Sequence, residues 1–584
     1  MKTGRPIFAL AHTASVFAAG LTLAASSLSA QTIPKGDQVV DLENFARVPN
    51  SSGQPARINT LRSAPDGRIF ANDQHGILYT ISADGATVTP YLNLAAYVPL
   101  LQDTGERGFQ SFAFHPDFNT PGTAGFGRFY TTASQSDTGT AATFTPGVNG
   151  AGRDHDEVLI EWTVADPNAA TFVPADPVRP FREVLRIARP NGNHNAGYLS
   201  FNPTAGAGAE RGNLYIGAGD SGGGGDPLGL AQMLGKVYGS ILRINPLLPA
   251  AADPQRSTNG QYSIPADNPY VINPAFAREK FAAGFRNPQR FTWDLANGRM
   301  FVADIGQGRV EEIDVAQSGA NYGWNQREGS YVYNNGSIGA NVRGDTSTTG
   351  YTYPIAEYMH YSSAGNAVTT GPVYRGGGIP ALDGRLLFSD FVNGVPYTLD
   401  ANNLPAGGQS GITELRLRLN GAELSFLDIV RQVNASATRA DLRFGSDAQN
   451  NVYFLDKQDG VIRRVVQQPI VDPPPVEVPV VSLTAEDLVV SRGAGRKIKI
   501  TLTRTGDASQ ALAVPYLVGG HAVAGQDYRT LKGTKTIKAG KDTATIAILP
   551  LSMGMNGKVS VRVKPGDGFV VDPAARKVKI SIVD

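Results

Sequence analysis

One phrase recurs along this chain and limits the folds it can adopt: an apolar or aromatic strand, a turn ending in Gly or Asn, and a second strand carrying an aromatic residue. Its copies lie between about residues 64 and 465, with long insertions between some of them. They read APDGRIFANDQHGILYTIS, FGRFYTTA, RGNLYIGAG, ANGRMFVADIG, LDGRLLFSDFVNGVPYTL and QNNVYFLDKQDGVIRRV. Radial repetition of short strands is typical of β-propellers. The pattern predicts an all-β fold with a six-bladed β-propeller, and a β-sandwich of ordinary hairpins is the alternative.

The chain is long enough for a second domain. Its 584 residues, which include 67 Gly and 38 Pro, are more than one hydrophobic core usually serves. The Pro-rich stretch at 468–479, QPIVDPPPVEVP, predicts an extended linker. Alternating segments beyond it, such as KIKITLT and VSVRV, predict a small antiparallel β-sandwich. We therefore expect the propeller over 36–467 and the sandwich over 480–584.

The N-terminal segment indicates the compartment of the protein, and the composition limits its possible partners. Lys2 and Arg5 precede an apolar stretch and small residues around Ala30, so residues 1–30 are predicted to be a signal peptide cleaved near Ala30. No later apolar run approaches the roughly 20 residues of a membrane helix. We expect a secreted or periplasmic protein with no membrane span. The absence of cysteine excludes disulfides and cysteine chemistry, and a net charge of +1 without a long basic block argues against nucleic acid.

Two segments place a histidine and an aspartate where a blade needs only alternating apolar residues. NHNAGYLSF puts His194 on a loop directly before a strand, and GAGDSGGGG puts Asp220 at the start of a Gly-rich loop. A neutral imidazole oriented by a carboxylate is the usual general-base arrangement. The two residues are therefore expected to meet at one rim, although the Gly-rich loop alone equally fits a flexible turn.

Two further segments carry charge into turns. In GERGFQSFAFHPDF, His115 is better explained as a turn residue that caps backbone groups than as a catalytic group. In GFRNPQRF, Arg286 presents a guanidinium fork that suits carboxylates or developing oxyanions. A plain surface ion pair is the alternative for Arg286.

A loop after the fourth repeat offers oxygen ligands. Gly306 and Gln307 supply backbone carbonyls, and Glu311, Glu312 and Asp314 follow them in the sequence. Such hard oxygen ligands are those that calcium prefers. A solvated acidic turn would have the same composition, so the alternative stays open.

Taken together, these segments resemble the glucose/sorbosone dehydrogenase family, soluble quinoproteins that oxidise sugars with pyrroloquinoline quinone (PQQ) and Ca²⁺. The segments ERGFQSFAFHPDF, NHNAGYLSFNP, GAGDSGG, LGKVYGSILRINP, GFRNPQRF and GANYGW follow the family's order. The resemblance covers most of residues 40–465. It implies a six-bladed propeller, in agreement with the repeat count.

The resemblance also implies residue roles. His194 matches the family's general base, Asp220 the acid that supports it, and Arg286 a residue that stabilises charge on the quinone. The carbonyls of Gly306 and Gln307 match the loop that holds calcium. The implied reaction oxidises an aldose or related polyol: His194 removes the hydroxyl proton while hydride passes from the same carbon to the quinone.

The implied cofactor contacts are less regular. Asn287 and Glu106 are assigned to the cofactor site. Val392 stands near the position of the family's anchoring lysine, so that anchor is absent there. In ATRADLRFGSD the arginines Arg439 and Arg443 are shifted from the family's places, and they are candidate substitutes as anchors for the quinone carboxylates.

Three functions remain in view at this stage. The first is the exported dehydrogenase, with a sugar substrate and a quinone or small redox protein as electron acceptor. The second is a non-enzymatic propeller that binds carbohydrate or protein. The third is a hydrolase that uses the same histidine and acids, and it is the least favoured of the three. The C-terminal segments LTRTGDASQALAVPY, GQDY and KVKISIVD resemble a Calx-beta domain; because few acids are clustered there, an adhesive or spacer role is expected rather than an ion site.

Overall fold

The computed structural model describes residues 33–584 except 149, 361–365, 468–478, 493–494, 507, 509 and 567. This part of the chain is almost entirely β-structure and divides into two units after residue 467. The expected signal peptide lies outside the described residues, as does the expected linker except for residue 479. In the described ranges, no helix is both long and apolar enough to cross a membrane.

The first three blades are antiparallel sheets of four consecutive strands: β2 to β5, β6 to β9 and β10 to β13. One further strand, β1, precedes them. The strands are β1 (Lys35–Arg47), β2 (Ile58–Ser63), β3 (Ile69–Asp73), β4 (Ile77–Ile81), β5 (Val88–Asn93), β6 (Phe109–Phe114), β7 (Arg128–Ser136), β8 (His155–Thr163), β9 (Phe181–Arg189), β10 (Ala196–Phe201), β11 (Leu214–Ala218), β12 (Ser240–Ile244) and β13 (Lys280–Ala283).

The remaining blades contain one insertion, a small three-stranded sheet of β17 to β19 within blade 4. Blade 4 is β14, β15, β16 and β20, and blade 5 is β21 to β24, with β25 paired to β24. The strands are β14 (Arg290–Trp293), β15 (Met300–Asp304), β16 (Val310–Ala316), β17 (Arg327–Glu328), β18 (Tyr331–Asn334), β19 (Ser337–Asn341), β20 (Ala356–Met359), β21 (Val368–Val373), β22 (Arg385–Asp390), β23 (Val395–Asp400), β24 (Thr413–Leu419), β25 (Ala422–Glu423), β26 (Arg443–Ser446), β27 (Val452–Leu455) and β28 (Val461–Val466).

Helices are short and lie between strands. The α-helices are α1 (Thr346–Thr349) and α2 (Phe426–Arg431), and the 3₁₀ turns are Leu94–Ala96, Ala209–Gly212, Leu230–Gln232, Arg343–Asp345 and Pro380–Leu382.

The propeller is closed by its N-terminal strand. Blade 6 takes β26, β27 and β28 from the end of the unit and its fourth strand, β1, from the beginning. β1 pairs antiparallel with β28, from Asp41 opposite Val466 to Arg47 opposite Val461, and it also pairs in parallel with β24 of blade 5. The first strands of the blades, β2, β6, β10, β14, β21 and β26, contact one another in a closed ring around the central channel.

The predicted six-bladed propeller is confirmed, and the sandwich alternative does not apply to this unit. Each copy of the repeated phrase contains the second strand of a different blade: β3, β7, β11, β15, β22 and β27. These strands lie inside their sheets and between neighbouring blades, so they are buried along most of their length. Burial on both faces explains why they read as continuous apolar runs.

The second unit is the predicted small sandwich, with its apolar core between two sheets. One sheet has the order β34-β31-β29-β36 and the other β30-β37-β35-β32-β33; the edge pairs β29–β36 and β30–β37 are parallel. The strands are β29 (Val480–Ala485), β30 (Val489–Ser491), β31 (Ile498–Thr505), β32 (Leu512–Gly520), β33 (Thr534–Ile537), β34 (Thr543–Ile548), β35 (Gly557–Val563), β36 (Val570–Val571) and β37 (Lys577–Val583).

Closure by β1 yields a stability prediction. Leu42 is buried in the core shared with blade 5, and Leu42→Ala is expected to lower the free energy of unfolding of the propeller by about 3 kcal/mol, since it removes packed methyl groups and leaves a cavity. Glu43→Ala, on the same strand, removes only a half-exposed ion pair with Arg464 and should cost less than about 1 kcal/mol. Urea denaturation of both variants measures the change in the free energy of unfolding. Equal effects of the two substitutions would contradict a closing role for the buried face of β1.

Candidate functional site

The loops at one end of the channel share a structural device. In five blades the second strand ends in an aspartate or is followed by one within two residues: Asp73, Asp220, Asp304, Asp390 and Asp456. Most of these carboxylates accept hydrogen bonds from loop backbone. Asp73 accepts from the N–H of Arg57 at 2.9 Å, and Asp304 accepts from the N–H groups of Arg286 at 2.8 Å and Asn287 at 2.6 Å. We call this end of the channel, where the first strands begin, the mouth.

Asp220 uses the same position differently. One carboxylate oxygen lies 2.6 Å from Nδ1 of His194, and the other accepts from Nε1 of Trp324 at 2.8 Å. Asp220 is fully buried; burial acts to raise the pKa of its carboxyl, but the charge and hydrogen bond of His194, with Arg286 nearby, hold that pKa below its ordinary value. The carboxylate therefore stays ionised and fixes the imidazole.

His194 is presented to the mouth by a strained loop. Its backbone adopts φ 54°, a left-handed conformation that costs a residue with a Cβ about 1–2 kcal/mol. Its N–H donates to Oε2 of Glu106 at 2.9 Å, which ties the loop to blade 2. Because Nδ1 faces Asp220, the proton is assigned to Nδ1, and no described residue hydrogen-bonds to Nε2. The ring thus offers a free lone pair at Nε2.

The Gly-rich loop is required for this approach of two chain segments. A Cβ at Gly219 would stand 2.4 Å from the carbonyl oxygen of His194, and a Cβ at Gly222 would stand 2.0 Å from Oδ1 of Asn193. Gly222 also has φ +73°. The glycines after β11 are therefore needed to pack the Asp220 loop against the His194 loop.

Arg286 is held rigidly beside this pair. Its Nη1 donates to the carbonyl of Ile305 at 2.8 Å, and its Nε and Nη2 donate to Oε1 of Gln307 at 3.2 and 3.1 Å. The guanidinium lies 5.6 Å from the ring centre of Trp324. The predicted turn therefore carries a buried, oriented cation, and the surface ion pair considered from the sequence is wrong because no described carboxylate forms a salt bridge with Arg286.

The loop after β15 has free carbonyls but no carboxylate ligands. No described residue donates a hydrogen bond to the carbonyls of Gly306 or Gln307. Glu311 binds His360 at 2.6 Å, and burial followed by neighbouring carboxylates raises the pKa of Glu312 and Asp314 well above ordinary values inside blade 4. Over the described residues, no three His, Cys, Asp or Glu side chains form a metal-binding group.

The sequence-derived anchors differ in their surroundings. Arg439 is half-exposed and already paired with Asp441. Arg443 is 2% exposed and lies 3.9 Å over the ring of Phe391; its Nη groups donate only to the neutral oxygens of Leu442 and Gln289. The Nε of Arg443 is buried without a hydrogen-bond partner, and no described carboxylate forms a salt bridge with this guanidinium, although the charges of Asp441 and Glu106 act on it from farther away.

Sequence reasoning missed a second cation here. Lys457 donates to Oε1 of Gln74 at 2.7 Å, and burial together with the charges of Arg443 and Arg57 lowers its pKa well below the ordinary value. Arg290 adds its charge to the same group. We call Arg57, Arg290, Arg443 and Lys457 the cationic cluster. The available signal was positional: Lys457 directly follows the strand-end aspartate Asp456, as Gln74 follows Asp73.

Val392, which the resemblance places near the family's anchoring lysine, lies in the loop after β22. Its side chain packs against the apolar core of blade 5, and its carbonyl accepts from the N–H of Ala440 at 3.0 Å. Blade 5 therefore offers no cation at that loop. Lys457 enters the mouth from the corresponding loop of blade 6.

These features define the class of the protein: a six-bladed β-propeller with a polar site built from blade loops at one end of its channel. The family described as Glucose / Sorbosone dehydrogenase matches residues 55–403, and the chain belongs to that family.

The individual proteins that resemble this chain share only low sequence identity with it. A solved glucose dehydrogenase shares the fold, with a TM-score of 0.51 and 18% identity over 73% of this chain and 99% of that chain. The HIPL1 protein of Arabidopsis thaliana is 28% identical over 440 residues, 69% of this chain and 60% of its own. The Hedgehog-interacting protein of Mus musculus is 28% identical over 231 residues, 39% of this chain and 28% of its own. The match thus spans less than two thirds of these curated relatives.

The isolated charge of Arg443 leads to a stability prediction. Without a bound anion, Arg443→Met should raise the free energy of unfolding by about 1–4 kcal/mol, because an unpaired buried cation is replaced by an apolar side chain of similar length. Arg463→Met is the matched control: Arg463 is equally buried but pairs with Asp456 at 3.1 Å and with Asp459, so its loss should destabilise by about 3–5 kcal/mol. Thermal and urea unfolding of both variants measure these changes in stability. If both substitutions destabilise the protein, Arg443 has a structural role.

Proposed function

We propose that this protein is a quinoprotein oxidoreductase that oxidises an aldose or related polyol at the mouth of its propeller. The observation that carries the proposal is the 2.6 Å contact of His194 Nδ1 with the buried carboxylate of Asp220, which leaves Nε2 free at the mouth that also holds the cationic cluster. A fixed base next to an anion-binding region suits proton removal from a sugar next to an acidic cofactor.

His194 acts as the general base. Its Nε2 accepts the proton of the sugar hydroxyl, and the carbon bearing that hydroxyl loses hydride, so the alcohol becomes a carbonyl or, for a cyclic aldose, a lactone. Asp220 stabilises the imidazolium that forms and keeps the ring in the tautomer with a free Nε2. Arg286, fixed by Ile305 and Gln307, stabilises negative charge that develops next to it.

The residues at the mouth fit PQQ, whose several carboxylates make it an anion. The cationic cluster supplies the charge: Arg443 has an unpartnered Nε, and Lys457 is bonded only to the neutral Gln74. These two residues would hold the carboxylates, with Asn287 and Arg439 at the same mouth, while Glu106 supports the His194 loop. When bound, the quinone supplies the two-electron acceptor for the hydride.

The loop after β15 fits a calcium ion through its backbone. The carbonyls of Gly306 and Gln307 accept no hydrogen bond from the described residues and remain available as oxygen ligands. A Cβ at Gly306 would meet the carbonyl oxygen of Val310 at 1.7 Å, so only glycine permits this loop path. Calcium there would complete its shell with groups that this loop does not provide.

We also propose the setting in which the enzyme acts. A signal peptide at 1–30, cleaved near Ala30, would export the propeller (36–467), the linker (468–479) and the C-terminal sandwich (480–584). Electrons would pass to a quinone or small redox protein. The sandwich, similar in sequence to Calx-beta domains, would serve as a spacer or adhesive module.

A second candidate function is a propeller that binds carbohydrate or protein without catalysis. The absence of a lysine at Val392 favours it, and so does the similarity to a relative named for its interaction with Hedgehog. The two candidates differ in one measurable property. Only the dehydrogenase reduces bound quinone when sugar is added.

The first experiment titrates the purified, metal-free protein with PQQ and Ca²⁺, follows the quinone absorbance, and then measures dye reduction with a panel of aldoses. Stoichiometric binding with sugar-dependent reduction is expected. His194→Ala should lower turnover by a factor on the order of 100 to 10,000 while the quinone still binds, because only the base is lost.

His75→Ala is the control for this substitution. His75 is also bonded through Nδ1 to a carboxylate, that of Asp103 at 2.8 Å, but its Nε2 is buried and cannot reach a substrate. Turnover within about threefold of the unmodified protein is expected. Normal turnover of His194→Ala would remove His194 as the base, and failure of PQQ to bind at micromolar concentration would favour the non-catalytic propeller.

Calcium makes a separate prediction. If the loop of Gly306 and Gln307 binds an ion only in the native state, chelation should lower the thermal midpoint of the propeller, and added Ca²⁺ should restore it. Differential scanning fluorimetry with a chelator and with Mg²⁺ as the comparison ion provides the measurement. An unchanged midpoint through chelation and re-addition would contradict the calcium loop.

A further inference from the structure

The propeller has a cavity at the opposite end of its channel from His194. It has a volume of about 520 Å³, in the range of small-molecule sites, and receives residues from the first strands of all six blades. Its lining includes the ends of those strands, such as Ser63, Phe201, Val373 and Ser446. The loops of the mouth precede the same strands, so the two sites lie at opposite ends. We call it the lower cavity.

Arg62 lines the lower cavity without a partner. Its side chain makes no hydrogen bond or ion pair with any described residue, and its Nη2 is enclosed by protein. The guanidinium lies 5.5 Å from the ring centre of Phe112 and 4.9 Å from that of Tyr198. The aromatic rings orient the group, but they do not supply the negative charge that it lacks.

Arg290 brings a second charge to the same cavity. Its Nη groups donate to Thr60 Oγ1 at 3.1 Å and to the carbonyl and side-chain oxygens of Asn59, all of which are neutral. Its guanidinium lies 4.8 Å from the ring centre of Tyr198, so this ring contacts two cations. Burial and the charge of Arg62 lower the pKa of Arg290 to about 10.

The acidic residues nearby are already engaged. Asp447 is the acid in the lining, and its carboxylate accepts from the backbone N–H groups of Gln449 and Asn451 at 2.9 Å and from the hydroxyl of Tyr453 at 2.8 Å. Arg211, the third arginine of the lining, is paired with Asp117 at 3.1 Å. The lower cavity therefore has an excess of positive charge from two arginines without carboxylate partners.

We propose that the lower cavity binds a small organic anion, with its oxyanion group on Arg62 and its ring or carbon skeleton against Tyr198 and Phe201. A guanidinium without a counter-ion suits a carboxylate or phosphate, which it can bind in a bidentate manner. The aromatic lining provides apolar surface for the rest of the ligand. Arg290 also belongs to the cationic cluster of the mouth. Arg62, Tyr198 and Phe201 are assigned neither to the quinone nor to His194, so the site would stand if the dehydrogenase proposal failed.

Tryptophan fluorescence of the full protein can test this site, because the three tryptophans lie in different places. Trp293 lines the lower cavity, Trp324 bonds to Asp220 at the mouth, and Trp162 is buried in blade 2. The probes are benzoate, gluconate and inorganic phosphate, titrated at constant ionic strength against chloride. Saturable quenching by at least one probe is expected, and it should persist in Trp324→Phe and disappear in Trp293→Phe.

Arginine variants test which guanidinium binds the anion. Arg62→Met should weaken binding at least tenfold, and Arg62→Lys should retain part of it if the Met variant folds poorly. Arg211→Met is the matched control, since it removes the same charge from the same lining but from an existing ion pair, and it should change the dissociation constant less than threefold. Benzoate or gluconate binding without phosphate binding would identify a carboxylate ligand, and the reverse a phosphate.

Several outcomes would overturn the proposal. These are no saturable quenching by any probe up to about 10 mM, equal weakening by Arg62→Met and Arg211→Met, or quenching that survives in Trp293→Phe. Each would mean that the lower cavity is a solvated end of the channel. PQQ binding, measured in parallel by absorbance, reports on the mouth and separates failure of one site from failure of the other.

Discussion

The strand β1 completes the propeller, and the geometry of both channel ends depends on that closure. It lies between β24 and β28, so the beginning of the chain joins the last two blades. Each end of the channel is built from six blades that are far apart in sequence. His194 and Asp220 come from blade 3, Arg286 from the start of blade 4, and Lys457 from blade 6, and only a closed ring brings them to one opening.

The site itself is a variation on a structural repeat. Aspartates at the ends of second strands hold neighbouring loops by accepting backbone N–H groups, as Asp304 does for Arg286 and Asn287. In blade 3, Asp220 likewise accepts a backbone N–H, that of Gly222 at 2.7 Å, and its carboxylate also contacts His194 and Trp324. A buried carboxylate that stabilises a loop needs only a change of partner to orient a base. The propeller thus holds His194 and Asp220 rigidly without an additional secondary-structure element.

Uncompensated positive charge distinguishes the channel from the rest of the propeller. Several buried arginines of the blades are paired, as Arg463 is with Asp456 and Asp459 and Arg186 with Asp156. Arg189, buried beside the His194 loop, is an exception and donates only to neutral oxygens. Along the channel, Arg62, Arg290 and Arg443 face neutral groups. A buried cation without a partner lowers stability, so its presence at two cavities is consistent with selection for binding rather than for stability.

The sequence by itself determined the blade count, the sandwich, and the pairing of His194 with Asp220. Strand repetition and the positions of Asp, His and Gly around loops are local properties, and a periodic fold maps them directly onto equivalent places in space. It did not reveal Lys457 as a further cation of the mouth, nor that Glu312 and Asp314 are buried inside blade 4. The tertiary structure decided that Arg443 is unpaired whereas Arg439 is not, that Lys457 faces the mouth, and that Arg62 and Arg290 share a cavity. The physical reason is that charge compensation depends on which blades meet across the channel, and sequence separation does not reveal those distances.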